Sequence, residues 1–158
     1  MKKIFKSSIG RKIAMALSGI FLIVFLTQHF LINITSVFSE DIFNILSHFM
    51  GNNPLVQFIL QPVLIAGVLF HFVMGFVLEW QNRKARPVTY AMYKGSKNSM
   101  FVSRNMIISG IVILSFLALH FYDFWVPEMD YKYVQSLPED PDRYYQELVH
   151  RFENPIRV

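Results

Sequence analysis

The 158-residue chain has the length of a single domain, and its net charge of +4 comes from 15 Lys and Arg against 11 Asp and Glu. A hydrophobic share of 53% with only 16% charged residues excludes an ordinary water-soluble domain. The chain contains no cysteine. This excludes disulfides, a covalently attached c-type haem and an iron–sulfur cluster bound by this chain.

Three apolar stretches predict an all-α transmembrane helical bundle, with spans at about residues 13–38, 55–80 and 104–126. Each stretch exceeds the roughly 20 residues that a helix needs to cross the hydrocarbon core of a membrane. The first follows a basic segment, as in a signal peptide. It is too long for one, however, and no small-residue cleavage site follows it. We therefore expect an uncleaved helix and one transmembrane domain over residues 1–158.

Between the first two spans, residues 40–51 predict a short amphipathic helix lying on the outer membrane surface. Its apolar side is predicted to carry Ile42, Leu46, Phe49 and Met50, and its polar side is predicted to carry Asp41, Asn44 and His48.

The second span is predicted to begin at Asn53 and Pro54, with Asn as the cap and Pro in the first turn. Pro62 should kink this helix and leave a carbonyl group for a partner to satisfy. Residues 127–158 predict an outer tail with an acidic, proline-punctuated turn and a short helix. Because Ile156 and Val158 resemble the start of another span, we expect this tail to be incomplete or completed by a partner.

Basic residues predict the orientation, because cationic segments stay in the cytoplasm. Five precede the first span and six lie between the second and third: Lys2, Lys3, Lys6, Arg11 and Lys12, then Arg83, Lys84, Arg86, Lys94, Lys97 and Arg104. The connection between the first two spans carries Glu40 and Asp41 and no Lys or Arg. The N-terminus is therefore predicted to be cytoplasmic. The positive charge needs no nucleic-acid partner to explain it.

Each span contains one histidine, and ionisable groups inside a membrane tend to be functional. Two similar strings, SGIFLIVFLTQHF (18–30) and SGIVILSFLALHF (109–121), are identical at seven of thirteen positions. His29 and His120 are the second-last residues of these strings. At about 1.5 Å per residue, both lie roughly 25 Å from the inner basic edge, and His71 lies about 18 Å from it. His29 and His120 are thus predicted to share an outer level on two helices. His48 and His150, outside the spans, are expected to be solvated or interfacial.

A pair of imidazoles at one depth suits axial ligation of a haem iron. Small residues near these histidines, namely Ser18, Gly19, Gly75, Ser109 and Gly110, leave room for a flat ring, although they also favour helix packing. Three alternatives remain open. The histidines are packing residues that form interhelical hydrogen bonds of roughly 1 kcal/mol, members of a proton relay, or ligands of zinc. Zinc usually needs four ligands, and no Cys or intramembrane carboxylate is nearby.

The chain resembles the dihaem cytochrome b membrane anchor of succinate dehydrogenases and fumarate reductases (succinate:quinone oxidoreductases). The resemblance rests on SGIFLIVFLTQHF, LFHFVMG, SRNM and LHFYDFWVPEM. It implies that His29 and His120 ligate the iron of a distal haem b and that His71 supplies one ligand of a proximal haem b. The family has five spans, with a fourth ligand histidine after the third. The resemblance therefore implies a fragment of a longer anchor with three of its five spans.

The family also implies an electron carrier in the bacterial inner (cytoplasmic) membrane. Partners would be a flavoprotein subunit, an iron–sulfur subunit, membrane lipid and a quinone, usually menaquinone near the distal haem. Such an anchor performs only electron transfer and the quinone reaction within the enzyme complex. The expected docking face is the inner basic loop, which carries Arg83, Lys84, Arg86, Lys94 and Lys97. The orientation signal alone explains these charges equally well. Arg104 and Ser103 are candidates for contacting a haem propionate or a lipid phosphate.

Glu40 and His48 are candidates for the quinone site, because quinone chemistry moves protons and needs a titratable group. The alternative function is a small non-haem membrane transporter or assembly protein whose histidines serve packing or a proton relay.

Overall fold

The computed structural model describes residues 7–85 and 100–153, and all regular structure within these ranges is helical. The predicted all-α fold is thus confirmed. The α-helices span Ser8–Ile34, Glu40–Asn52, Gln61–Lys84, Phe101–Arg104, Met106–His120, Val126–Met129 and Arg143–Phe152. A 3₁₀ turn follows the first helix at Thr35–Val37, and wider π turns occupy Val56–Leu60, Phe121–Trp125 and Asp130–Val134.

Three continuous helical segments among the described residues are long and apolar enough to cross a membrane. The first span is Ser8–Val37, the second Val56–Lys84 and the third Met106–Val134, with 30, 29 and 29 residues. At 1.5 Å per residue each measures about 43–45 Å, whereas the hydrocarbon core is about 30 Å thick. The helices therefore continue beyond the apolar stretches of the sequence, and the third span runs on to Val134 instead of ending at 126.

Apolar side chains lie mostly on the surface of the protein. Among the described residues, only Phe43 and Val56 are buried apolar residues, and the most apolar part of each span has no buried residue. Leu26, Ile108 and Phe116, for example, are 62%, 63% and 66% exposed. Such surfaces are stable in lipid and not in water. The chain is therefore a multi-pass membrane protein.

Short polar side chains cap the helices where the sequence places them. Ser7 Oγ accepts a hydrogen bond from the backbone N–H of Gly10 at 2.9 Å and so caps the first span. Asn53 Oδ1 accepts from the N–H groups of Leu55 and Val56 at 3.0 and 3.4 Å. The helical backbone begins at Pro54. The predicted Asn-Pro start of the second span is confirmed.

Prolines inside the spans are accommodated by π turns. The Val56–Leu60 turn immediately precedes Gln61 and Pro62, and the Gln61 N–H donates to the Val56 carbonyl. The same arrangement recurs at Phe121–Trp125, which precedes Val126 and Pro127. A proline ring clashes with the carbonyl four residues earlier in a regular helix. The wider π turn shifts the backbone hydrogen-bond pattern just before the proline ring and allows the helix to continue.

The chain divides into two compact units, one formed by residues 1–70 with 136–158 and the other by residues 71–135. The first unit contains the first span, the start of the second span and two shorter helices. We call these the loop helix (Glu40–Asn52) and the tail helix (Arg143–Phe152), and they pack against each other. The second unit contains the rest of the second span and the third span.

The first and second spans approach closely at Gly67 in the first unit. A Cβ atom on Gly67 would lie 2.8 Å from Cε1 of the Phe21 ring. Small residues allow such close approach of helices in membranes.

The end of the third span and the tail follow the predicted order of a turn and a short helix. Ser136 has a φ of 50°, a left-handed conformation that ends the span. Asp140 Oδ1 then accepts a hydrogen bond from the Asp142 N–H at 3.0 Å, which closes the acidic turn before the tail helix. The predicted start of a further span at Ile156 and Val158 lies outside the described residues.

Candidate functional site

His29 is half-buried in the first span and stacks on an aromatic ring of its own helix. The ring centroid of Phe25, one helical turn earlier, lies 5.6 Å from that of His29, and the two planes are inclined by 19°. One turn later, Asn33 Nδ2 donates a hydrogen bond of 2.8 Å to the His29 carbonyl oxygen. Because residues four apart share a helix face, the neighbours of His29 on that face are fixed by the sequence.

His120 has the same kind of environment in the third span. The Phe116 ring lies one turn earlier, with its centroid 5.8 Å from that of the imidazole and an interplanar angle of 19°. Phe124, one turn later, lies 5.1 Å away at 38°. The imidazole of His120 is thus flanked by phenyl rings one turn away in both directions, whereas His29 has a phenyl ring on one side and an asparagine on the other.

The internal sequence repeat therefore corresponds to a repeated geometry. In both strings a phenylalanine precedes the histidine by four residues, and the two stacks agree within 0.2 Å in centroid distance. Sequence reasoning found the histidines and missed the role of Phe25 and Phe116. The F-x₃-H spacing, present in both strings, was the signal that identifies them.

Stacked imidazoles suit axial ligation of a haem iron. A metal bond to imidazole lies in the plane of the ring, whereas the phenyl rings described here stack on or beside its faces. A haem iron takes one such nitrogen from each side. Residues 7–85 and 100–153 contain no group of three or more His, Cys, Asp or Glu that could hold a metal ion, whereas a closed zinc site needs four ligands.

The predicted pairing of His29 with His120 joins the two units of the chain. His29 belongs to the first unit and His120 to the second. Their pairing therefore stays a prediction.

His71 has a different environment from the other two membrane histidines. It is half-buried, and its ring meets Phe72 edge-on, with centroids 6.4 Å apart and planes at 89°. The positions one helical turn before and after His71 are glycines, Gly67 and Gly75. The equivalent positions around His120 are phenylalanines. Its predicted role as one ligand of a second haem stays a prediction.

The two residues that are candidates for contacting a haem propionate lie just before the third span. Arg104 ends the short Phe101–Arg104 helix, and its side chain is exposed. Ser103 belongs to the same helix, and its side chain lies outside the description, as do the loop residues Arg86, Lys94 and Lys97. Arg83 ion-pairs with Glu79 one turn earlier, at 2.7 Å. The predicted roles of these cations stay predictions.

The two candidates for the quinone site belong to the loop helix but have different surroundings. Glu40 is exposed in its first turn. His48 lies two turns later, where its Nε2 is 3.5 Å from Oε2 of Glu139 and its ring meets Tyr144 edge-on at 6.3 Å. His48 therefore contacts the segment that leads into the tail helix. His150 is exposed on the tail helix, in agreement with a solvated position.

Asn44 joins the loop helix to the tail helix. The sequence pattern places it on the polar side of the loop helix, and the structure shows that the tail helix covers this position, since Asn44 is only 4% exposed. Asn44 Nδ2 donates to the Asp142 carbonyl at 3.1 Å, and Asn44 Oδ1 accepts from the Tyr145 N–H at 2.8 Å. The amide thereby caps the first turn of the tail helix from a distant part of the chain.

No protein-family model, curated protein or solved structure matches the chain significantly. The function must accordingly be inferred from its own residues. The features that bear on it are three spans with one half-buried histidine each, and two of these histidines have the same stacked arrangement.

Proposed function

We propose that the chain is a haem b-binding membrane anchor of a succinate:quinone oxidoreductase, which carries electrons between a soluble iron–sulfur subunit and membrane quinone. The observation that carries the proposal is the repeated pair of Phe-stacked histidines, Phe25 with His29 and Phe116 with His120, in two membrane-spanning helices. A half-buried imidazole that stacks on a phenyl ring in an apolar span is suited to binding a large, flat, apolar group through a ring nitrogen.

The chain's own residues would hold the haem and exclude water from it. His29 and His120 would hold one haem and His71 would help to hold a second, and the haem iron would supply one-electron transfer when bound. The exposed Arg104, just before the third span, would contact a propionate or a lipid phosphate.

Partners and orientation follow from charge and composition. The chain has no cysteine, so iron–sulfur clusters on the electron path must belong to a partner subunit. Cationic residues occur near the start of the first span, at the end of the second and before the third: Arg11, Lys12, Arg83, Lys84 and Arg104. Under the positive-inside rule, this distribution supports a cytoplasmic N-terminus in a bacterial inner membrane, with the soluble flavoprotein and iron–sulfur subunits on that side.

Spectroscopy of the protein purified from its native membrane tests the proposal. We expect a reduced-minus-oxidised spectrum of b-type haem, and we expect His29→Ala and His120→Ala to abolish the same low-spin haem signal. His150→Ala is the matched control, because His150 is exposed on the tail helix outside the spans and should leave the haem content unchanged. A folded, colourless protein from cells with ample haem would contradict the proposal and favour the non-haem transporter or assembly protein. If His29→Ala and His120→Ala abolished two different haem signals, the pairing of these histidines would be wrong, whereas the proposal that the chain binds haem would stand.

A further inference from the structure

The sequence predicts that the loop helix lies on the membrane surface, but the row of residues that is exposed in the structure differs from the predicted apolar side. We propose that the loop helix is a membrane-interface helix that contacts lipid through this exposed row. Its row of Ile42, Ile45 and Phe49 inserts at the boundary between headgroups and acyl chains, while its opposite side holds the tail helix. The partner of this surface is thus the lipid itself. The proposal rests only on the spans and is independent of haem.

The two ends of the loop helix are tied to the membrane surface by the spans on either side. The helix begins at Glu40, directly after the first span ends at Val37, and it ends at Asn52, shortly before the second span begins at Val56. Met50 near its end accepts a hydrogen bond through Sδ from Gln28 Nε2 of the first span, at 3.6 Å. Two short connections to consecutive spans keep the loop helix close to one face of the bilayer.

The row that we assign to the lipid is the exposed apolar side of the helix. Ile42, Ile45 and Phe49 are 51%, 67% and 55% exposed, and their spacing of three and four residues places them on one side. Leu46 and Met50, which the sequence pattern placed on the apolar side, are half-buried within the protein. An exposed apolar row beside two membrane spans is the arrangement of helices that lie in the interface.

The opposite side of the loop helix is already occupied by the tail helix. Phe43 is 5% exposed and its ring meets Tyr145 edge-on at 6.4 Å, while Asn44 makes its two hydrogen bonds to the start of the tail helix. The tail helix presents Gln146 and Glu147 to the exterior. The tail helix, which carries charged residues, covers the polar side of the loop helix. The exposed apolar row is therefore the side of the loop helix that faces the bilayer.

Because the chain has no cysteine, single-cysteine variants can each carry one nitroxide label at a chosen position. The probes are Ile45→Cys and Phe49→Cys on the row and Gln146→Cys on the tail helix. Ile108→Cys, a 63% exposed position within the third span, is the lipid-facing reference. The labelled proteins are reconstituted in vesicles of phosphatidylethanolamine and phosphatidylglycerol. We expect labels at 45, 49 and 108 to collide more with oxygen than with a water-soluble nickel chelate, and the label at 146 to show the reverse.

A second set of labels separates lipid contact from the contact between the two helices. Adding Asn44→Ala should leave the label at 45 accessible to oxygen and increase the mobility of the label at 146. Preferential collision of the label at 45 with the nickel chelate would overturn the proposal, since the row would then face water. Shielding of that label from both probes would also overturn it, because the row would then be covered by protein.

Discussion

The ring of Phe116 lies on the imidazole of His120, with centroids 5.8 Å apart and planes inclined by 19°. The same relationship joins Phe25 to His29 in another span. A phenyl ring stacked on an imidazole four residues later in the same helix restricts the rotation of that imidazole. In the proposed haem site, these phenylalanines are positioning residues that set the plane of each ligand.

We expect Phe116→Leu and Phe25→Leu to retain the haem but to change the g-values of its low-spin electron paramagnetic resonance signal and its midpoint potential. An aromatic pair contributes about 0.5–1.5 kcal/mol. A tenfold change in an equilibrium constant, about 1.4 kcal/mol, corresponds to a change of about 59 mV in the midpoint potential of a one-electron couple. Shifts should therefore be at most about 60 mV. Leu119→Ala, at a 64% exposed position of the same turn, should change neither quantity. Unaltered spectra in both phenylalanine variants would show that the stacks do not orient the ligands.

Asn44→Ala should release the tail helix from the loop helix. The substitution removes both hydrogen bonds to the tail helix and leaves the Tyr145 N–H and the Asp142 carbonyl without their partner, at a cost of about 1–3 kcal/mol. Hydrogen exchange of the peptide covering residues 143–152 should become faster by one to two orders of magnitude, whereas peptides from the spans keep their protection. Gln146→Ala, an exposed position on the same helix, is the control, and an unchanged exchange rate in Asn44→Ala would rule out the cap.

Glu139→Gln should have little effect on the same exchange measurement. The contact between His48 and Glu139 is 3.5 Å long, and the Glu139 side chain is 70% exposed. Exposed ion pairs contribute about 0–1 kcal/mol and are screened by salt. If this variant released the tail helix as strongly as Asn44→Ala does, the ion pair and not the amide would hold the two helices together.

Local sequence patterns predicted the spans, the Asn53-Pro54 start and the tail helix, because each depends on neighbouring residues. They also identified His29 and His120 in a repeated string but not the phenylalanines that stack on them. The environment of Asn44 was not predictable in this way, since its partners lie 98 and 101 residues away. An amphipathic pattern identifies the polar side of a helix but not whether water or another helix covers it. The continuation of the third span past Pro127 depends on a π turn that no local propensity indicates.

Gly67 and Gly110 offer a matched test of packing between the spans. A Cβ on Gly67 would lie 2.8 Å from the Phe21 ring, whereas a Cβ on Gly110 would have no described atom within 4 Å apart from its chain neighbours and the adjacent backbone of its own helix. We expect Gly67→Leu to lower the free energy of unfolding by about 1–3 kcal/mol, because the new side chain must displace that ring. Gly110→Leu should be neutral or stabilising by up to about 1 kcal/mol, since leucine is a better helix former than glycine.

Thermal unfolding in detergent, followed by far-ultraviolet circular dichroism, compares the two leucine variants with the unmodified protein. Combining Gly67→Leu with Phe21→Ala should restore part of the lost stability, because the smaller residue vacates the space that the leucine enters. Equal midpoints for the two single variants would mean that the first and second spans do not approach closely at Gly67. A double variant less stable than Gly67→Leu alone would mean that Phe21 stabilises the protein through contacts elsewhere.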